Sequence, residues 1–268
     1  MTARAAIELT RASWRTAKSY RFSFVLSFVS LLVTIIPVYF VATALQPFMA
    51  TVIAEESREY FGFVLLGTLM LAVVSPALSA FGSAVSGGLS SGFFEALLIT
   101  PTPLPALFVG QTGYAFLWAF ARGALLLIAG IALGVEVHWL RAPEAIVFLT
   151  LAIAAYSGVG LIGAALVVAF RTTGAIPQAA LVVSTVMGGV YFPTSVLPPG
   201  VVAIAEWVPL TPALRAIRQT VLLGYPLSSV IDELVTATVL AAVCLGAGVI
   251  AVRWAFSYAR RAGSLAQY

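Results

Sequence analysis

The chain has 268 residues, of which 61% are hydrophobic and 9% charged, with a formal net charge of +4. A mean hydropathy of +1.06, with charged residues far below the roughly 25% of soluble domains, excludes a water-soluble globular protein. The basic balance does not point to nucleic acid, because the arginines cluster beside apolar stretches and there act as a topology signal.

Residues 1–21 carry Arg4, Arg11, Arg15, Lys18 and Arg21. Glu8, Arg11, Arg15 and Lys18 recur at helical spacing, while Ile7 and Trp14 lie two turns apart on another face. That pattern predicts an amphipathic helix on the cytoplasmic membrane surface; a merely basic leader that obeys the topology rule is the alternative. The stretch does not read as a signal peptide, since its basic part is long, the apolar span behind it exceeds an h-region and no small-residue cleavage site follows. Lys18 is the only lysine and follows Ala17, so the chain has no phosphate-binding G-x-x-x-x-G-K-[ST] loop and any ATP-driven work falls to a partner.

Six apolar segments follow, at about 22–45, 61–85, 107–134, 145–169, 175–192 and 232–256. Each is near or above the ~18–25 residues that cross a ~30 Å hydrocarbon core. Six crossings put both termini on one side. The basic residues ahead of the first span and Arg253, Arg260 and Arg261 at the last stand against Glu55, Glu56 and Glu59 in the first loop. By the positive-inside rule both termini are cytoplasmic. Arg171 falls inside but Arg141, Arg215 and Arg218 fall outside, so the orientation rests on the two ends.

Between spans two and three, Ser86-Gly87-Gly88 and Ser90-Ser91 loosen the exit, a short apolar helix is predicted from about Gly92 to Thr100, and Pro101, Pro103 and Pro105 end it. A cytoplasmic loop that presents Phe93, Phe94, Leu97 and Leu98 needs a cover, either a protein partner or lipid.

Arg122 falls near the middle of span three, where a charge costs at least ~2.5 kcal/mol and faces the bundle interior or a wet cavity. It either binds an anionic group of substrate or lipid, or is structural, satisfied by carbonyls, helix ends or Glu206. Gly130 and Gly134, Gly158, Gly160 and Gly163, and Gly246 and Gly248 offer small surfaces for helix packing. His138 is the only histidine and is predicted in an outer loop, and Cys244 is the only cysteine. Metal clusters, a Ser-His pair inside the membrane and an internal disulfide therefore lack their parts. The carboxylate pairs Glu55-Glu56 and Asp232-Glu233 lie in outer positions where solvation explains them.

After span five come Tyr191-Phe192-Pro193, Leu197-Pro198-Pro199 and then Pro209 to Gly224. Thr211 as N-cap, Pro212 in the first helical position and Gly224 past the end bracket a short helix. Leu210, Leu214, Ile217 and Val221 share one of its faces. The forty residues between spans five and six are too apolar for a free loop and too broken by proline for a full span. Paired half-helices dipping into the outer leaflet are expected. Such backbone must be buried in protein or line an aqueous cavity, which puts it at the mouth of a path.

Gly92-Phe93-Phe94-Glu95-Ala96-Leu97-Leu98-Ile99-Thr100-Pro101 is similar to a G-T-L-E-x-L-L-x-T-P loop. With Tyr191-Phe192-Pro193, Leu197-Pro198, Pro209-Leu210-Thr211 and Arg218 on a six-span frame, the chain resembles, over nearly its whole length, the permease subunits of ABC-2-type exporters of the daunorubicin-resistance and nodulation-factor export branch. It departs from them in Phe93-Phe94, where Thr-Leu is usual, and in Gly110-Gln111, where many members have Gly-Lys.

The resemblance implies that the loop after span two is a coupling helix seated on a cytosolic ABC ATPase, with Phe93, Phe94, Glu95, Leu97, Leu98, Thr100 and Pro101 as coupling residues. Glu95 is the only charge between Glu59 and Arg122 and leads as the polar contact; a first-turn charge favoured by the helix dipole, worth ~0.3–1 kcal/mol, is its structural alternative. The N-terminal helix would brace the coupling helix, and two permease subunits would line a path that includes Arg122, Tyr191, Phe192, Pro193, Leu197, Pro198 and Arg218.

The expectation is an all-α integral membrane protein with an interface helix over 1–21 and one six-span permease domain over 22–268. It lies in the inner (cytoplasmic) membrane, has no catalytic, cofactor or metal residues of its own, and leaves ATP and Mg to the partner. Its cargo is drug-like, lipidic or glycolipid. An ion-coupled secondary transporter would leave acidic residues at mid-membrane, and none is evident. A scaffold that transports nothing would need neither Glu95 nor the half-helices.

Overall fold

A computed structural model describes residues 21–90, 104–170 and 175–261. The predicted interface helix, but for Arg21, and the predicted coupling residues Phe93, Phe94, Glu95, Leu97, Leu98, Thr100 and Pro101 lie outside the described residues.

Among the described residues the secondary structure is helical throughout: α1 (Arg21–Met49), α2 (Tyr60–Ser90), α3 (Leu104–Ala132), α4 (Ala142–Phe170), α5 (Ala175–Met187), α6 (Pro199–Ala205), α7 (Leu210–Val221) and α8 (Ile231–Arg261). Glu144 in the first turn of α4 and Asp232 and Glu233 in that of α8 suit the positive helix ends. Glycines with positive φ follow α3, α5 and α7: Gly134 at 103°, Gly189 at 74° and Gly224 at 76°. The left-handed conformation open to glycine lets the chain leave each helix sharply.

Among the described residues four helical stretches are long and apolar enough to cross a membrane: Tyr60–Val85, Ala115–Ala132, Trp139–Phe170 and Leu227–Ala259. The bent pair Pro199–Ala205 and Leu210–Val221 makes a fifth if taken as one span. Each of the six predicted spans has a helix at its place, but not each is a full crossing. The expected span at 175–192 is helical only over the 13 residues of Ala175–Met187, about 20 Å at 1.5 Å per residue. It stops because Gly188 and the left-handed Gly189 turn the backbone while the sequence stays apolar. In the first span α1 is helical over the 29 residues Arg21–Met49, and the apolar stretch among its described residues is Val33–Met49.

The centre of the bundle is α2, 67% of whose apolar window is buried, against 22% for Ala115–Ala132 and for Leu227–Ala259. Helices α1, α3, α4 and α7 surround it, and α8 packs chiefly on α4. Phe63, Leu65, Met70 and Leu78 of α2 meet Phe148 and Tyr156 of α4 and Leu210 and Leu214 of α7 in one core. Close approach depends on glycine. A Cβ on Gly160 would stand 2.4 Å from the Ala77 carbonyl oxygen, and one on Gly158 2.2 Å from the Cys244 carbonyl carbon. Outward, α1 shows Val33, Phe40 and Phe48 and α8 shows Val239, Val243 and Ile250, the apolar face expected of helices in contact with lipid.

Candidate functional site

The segment between α5 and α8 enters and leaves at the same end of the bundle. Thr194 shares a cavity there with Glu55 and Glu56, and the backbone N–H of His138 donates to the Val221 carbonyl, 2.9 Å away. Between these points α6 and α7 are bent by 86°. Helix α7 slants inward, its first residue, Leu210, lying against Gly188 and sharing the core with Tyr156 in the middle of α4.

The helix does not start as its sequence suggests. Pro209 is the N-cap, with no side-chain cap bond, and Thr211 lies inside the first turn, its hydroxyl donating to the Ala205 carbonyl at 2.7 Å. That bond ties the start of α7 to the end of α6. The expected apolar face is buried: Leu210, Leu214, Ile217 and Val221 are all 6% exposed or less.

Arg218 lies on this same buried face and is 1% exposed. Nη1 donates to Glu56 Oε2 at 2.8 Å and to the Gly189 carbonyl at 2.9 Å. Nη2 donates to the carbonyls of Phe63 at 2.9 Å and Val190 at 3.0 Å, and Nε to Phe63 at 3.2 Å. The guanidinium carbon stands 3.3 Å from the centre of the Phe63 ring, within cation–π range. Five N–H groups thus meet five acceptor bonds, the full capacity of the side chain. The carbonyls of Gly189 and Val190 follow the end of α5, where the helix leaves its own acceptors open. Gly67 makes room, since a Cβ there would stand 2.5 Å from the Val190 oxygen and 3.1 Å from Arg218 Nη2.

Two neighbouring links hold the same end. Tyr60 OH donates to the Tyr191 carbonyl at 2.7 Å, and Gln46 of α1 accepts the Tyr60 N–H while donating to the Arg58 carbonyl. On the solvent side Arg215 Nη2 donates to Glu206 and to Thr194 Oγ1, so Glu206 is the partner of Arg215 rather than of Arg122. Beside this clasp is a cavity of ≈ 330 Å³ whose lining includes Glu55, Glu56, Glu206, Arg215 and Glu233. Eight of the ten carboxylates of the chain lie at this end: Glu55, Glu56, Glu59, Glu136, Glu144, Glu206, Asp232 and Glu233.

The expected path residues do not form one site. Tyr191, Pro193 and Arg218 gather at the clasp, where Pro193 is buried and Tyr191 is exposed and offers its carbonyl. Phe192 is half-buried, Leu197 ends a short 3-10 turn, and the exposed Pro198 precedes α6. Arg218 serves the fold of its own chain and faces no opening. Arg122 stands apart in α3, beside Gly123 at the level of Val73 of α2; its Nε is buried without a hydrogen-bond partner among the described residues. Glu56, expected to be a solvated outer carboxylate, is instead buried in the ion pair with Arg218, and the sequence reading missed Gln46 and Gly67. For Glu56 a signal existed, because Arg218 interrupts the apolar face of Leu214, Ile217 and Val221 and a buried guanidinium requires a carboxylate.

Among the described residues no group of His, Cys, Asp and Glu could hold a metal ion. The arrangement is mechanical: a bent helix pair latched to the core by one buried ion pair. Residues 6–222 match the family model described as ABC-2 type transporter. A search of curated proteins finds no match.

Proposed function

The chain belongs to the ABC-2 type transporter family, and we propose that this multi-pass membrane permease works as the membrane half of an ATP-driven exporter. Two such subunits join two copies of a separate cytosolic ATPase, which binds ATP and Mg. Six crossings put both termini in the cytoplasm of a cell whose inner membrane holds the complex. The cargo is a drug-like, lipidic or glycolipid molecule taken from the cytoplasm or the inner leaflet.

The observation that carries this reading is the family match over residues 6–222 joined to a clasped, bent helix pair at one end of an apolar bundle. The charge pattern supports the orientation. The carboxylate-rich end is the one that holds the half-helices, whereas Arg253 and Arg261 lie toward the opposite end of α8, and basic residues favour the cytoplasmic side. Leu197 and Pro198 then rim the exit, Arg122 belongs to the path, and residues 92–101 form the coupling helix, with Phe93, Phe94, Leu97 and Leu98 pressed on the ATPase and Glu95 as its polar contact.

The test is co-purification of this chain with a soluble P-loop ATPase from the same genome, together with ATP hydrolysis in proteoliposomes. The expected result is a stable complex whose hydrolysis is stimulated by cargo, with Phe94→Asp abolishing both while the permease remains inserted. Full coupling in Phe94→Asp contradicts the docking, and transport by the chain alone down an ion gradient contradicts the exporter.

A further inference from the structure

The half of the bundle remote from the clasp contains a cleft that sets hydroxyl and carboxamide groups in a largely apolar wall. It has a volume of ≈ 370 Å³ and lies between α2, α4 and α5, lined by Ser75, Ser79, Gly82 and Ser83 of α2, Gly163 of α4 and Gln178 of α5, among others. Ser75, Ser79 and Ser83 are four residues apart, so they stand on one face of the helix. At 1.5 Å per residue they lie roughly 22–35 Å along α2 from Tyr60, within the apolar span and toward its far boundary.

Packing on both sides explains why the cleft stays open. Gly160 of α4 sits against the Ala77 and Leu78 carbonyls, and Gly163 within reach of the Pro177 ring, which fixes α2 and α5 against α4. Among the described residues nothing lies within 4 Å of where a Cβ on Gly82 would be, so the missing side chain leaves space there. Leu78, Val167, Pro177 and Leu181 complete an apolar wall.

The chemistry of the lining selects a ligand. Among the described residues it holds no charged side chain, and a charged group taken there would be desolvated without a partner among them. It does hold hydroxyls and a carboxamide, which both donate and accept. Ser79 Oγ donates to the Ser75 carbonyl at 3.1 Å, which leaves its oxygen free to accept. The Gln178 amide is exposed to the cleft and finds no hydrogen-bond partner among the described residues. An amide at this depth needs a polar cover, because lipid tails supply none. The volume falls in the ~300–1,000 Å³ range of small-ligand sites.

We propose that this cleft seats the uncharged, hydroxyl-bearing head of an amphiphilic cargo, a glycoside head group whose apolar tail stays on the lipid side. The proposal rests on the exporter reading and narrows its cargo. Sugar hydroxyls match a lining that gives and takes hydrogen bonds, and the wall of Leu78, Val167 and Leu181 suits the apolar ring face and the first part of the tail.

The test uses the full chain in phosphatidylcholine nanodiscs and an alkyl glucoside with a photoreactive tail. The expected result is labelling of peptides around residues 75–83 and 177–181, competed by octyl glucoside and not by an alkylphosphocholine of equal chain length. Gln178→Leu lowers labelling about fivefold, the equivalent of one net hydrogen bond. Gly82→Leu, which fills the cleft without a clash, also lowers it, while Gly246→Leu on α8 does not. Equal competition by the phosphocholine, or unchanged labelling in both cleft variants, overturns the proposal. Cross-linking of Gln178→Cys to its own copy in a Cys244→Ala background overturns it too, since a second chain then covers this face. None of these readouts involves the ATPase, so their failure leaves the exporter standing, whereas failure of ATPase co-purification strikes the exporter alone.

Discussion

With all five N–H groups of Arg218 bonded and Glu56 only 10% exposed, removal of either partner strands the other charge in the core, at a cost of about 3–5 kcal/mol. Arg218→Leu or Glu56→Leu is therefore expected to deplete folded protein from membranes and lower the melting temperature in detergent. The double variant Glu56→Leu with Arg218→Met should recover much of the loss, because neither charge remains unpaired. Arg215→Ala is the contrast. Its pair with Glu206 is partly exposed, at 26% and 39%, and such pairs contribute about 0–1 kcal/mol. Gly67→Ala should behave like the clasp variants, since its Cβ would crowd the Val190 carbonyl and strain of this kind costs about 1–3 kcal/mol. A melting temperature in Arg218→Leu equal to that of the parent chain would refute the clasp. Arg218 could be singled out in the sequence, but its partner lies 162 residues away, and no local pattern joins the two.

Helix positions follow from apolar runs, and the predicted segments fall on α1 to α5 and α8 because an unbroken apolar run has to satisfy its backbone internally. Their ends are less legible. Hydropathy does not change at Gly188, yet α5 stops at Met187, and Thr211 has the chemistry of a cap but bonds back to Ala205. Tertiary geometry decided both. The glycine stripes were visible in the sequence without their partners, and the structure separates them. Gly158 of α4 meets Cys244 and Leu245 backbone, whereas Gly246 of α8 has nothing within 4 Å among the described residues. Gly158→Ala is accordingly expected to destabilise by about 1–3 kcal/mol through forced separation of α4 and α8. Gly246→Ala should be neutral or gain up to about 1 kcal/mol from helix propensity. Thermal unfolding of the two variants side by side checks this, and equal melting temperatures would deny the close seam.

Across the whole molecule, the acidic, hydrogen-bonded end and the apolar middle have distinct physical tasks. The clasp fixes α7 to α2, yet Ile204 of α6 and Trp207 in the turn after it are exposed, and a polar cavity lies beside them. On the proposed exporter reading, with ATP acting from the other side, the water access of this end must change as the permease turns over. The bend, the proline-rich turn and the cavity place Leu197 where that change is read most directly. The decisive measurement is the labelling rate of Leu197→Cys by a small membrane-impermeant thiol reagent, in a Cys244→Ala background, with the ATPase bound and either free of nucleotide or trapped with it. The exporter account predicts labelling from outside the cell at a rate that shifts when nucleotide is trapped. Labelling only from the cytoplasmic side, or at a rate indifferent to nucleotide, would contradict it.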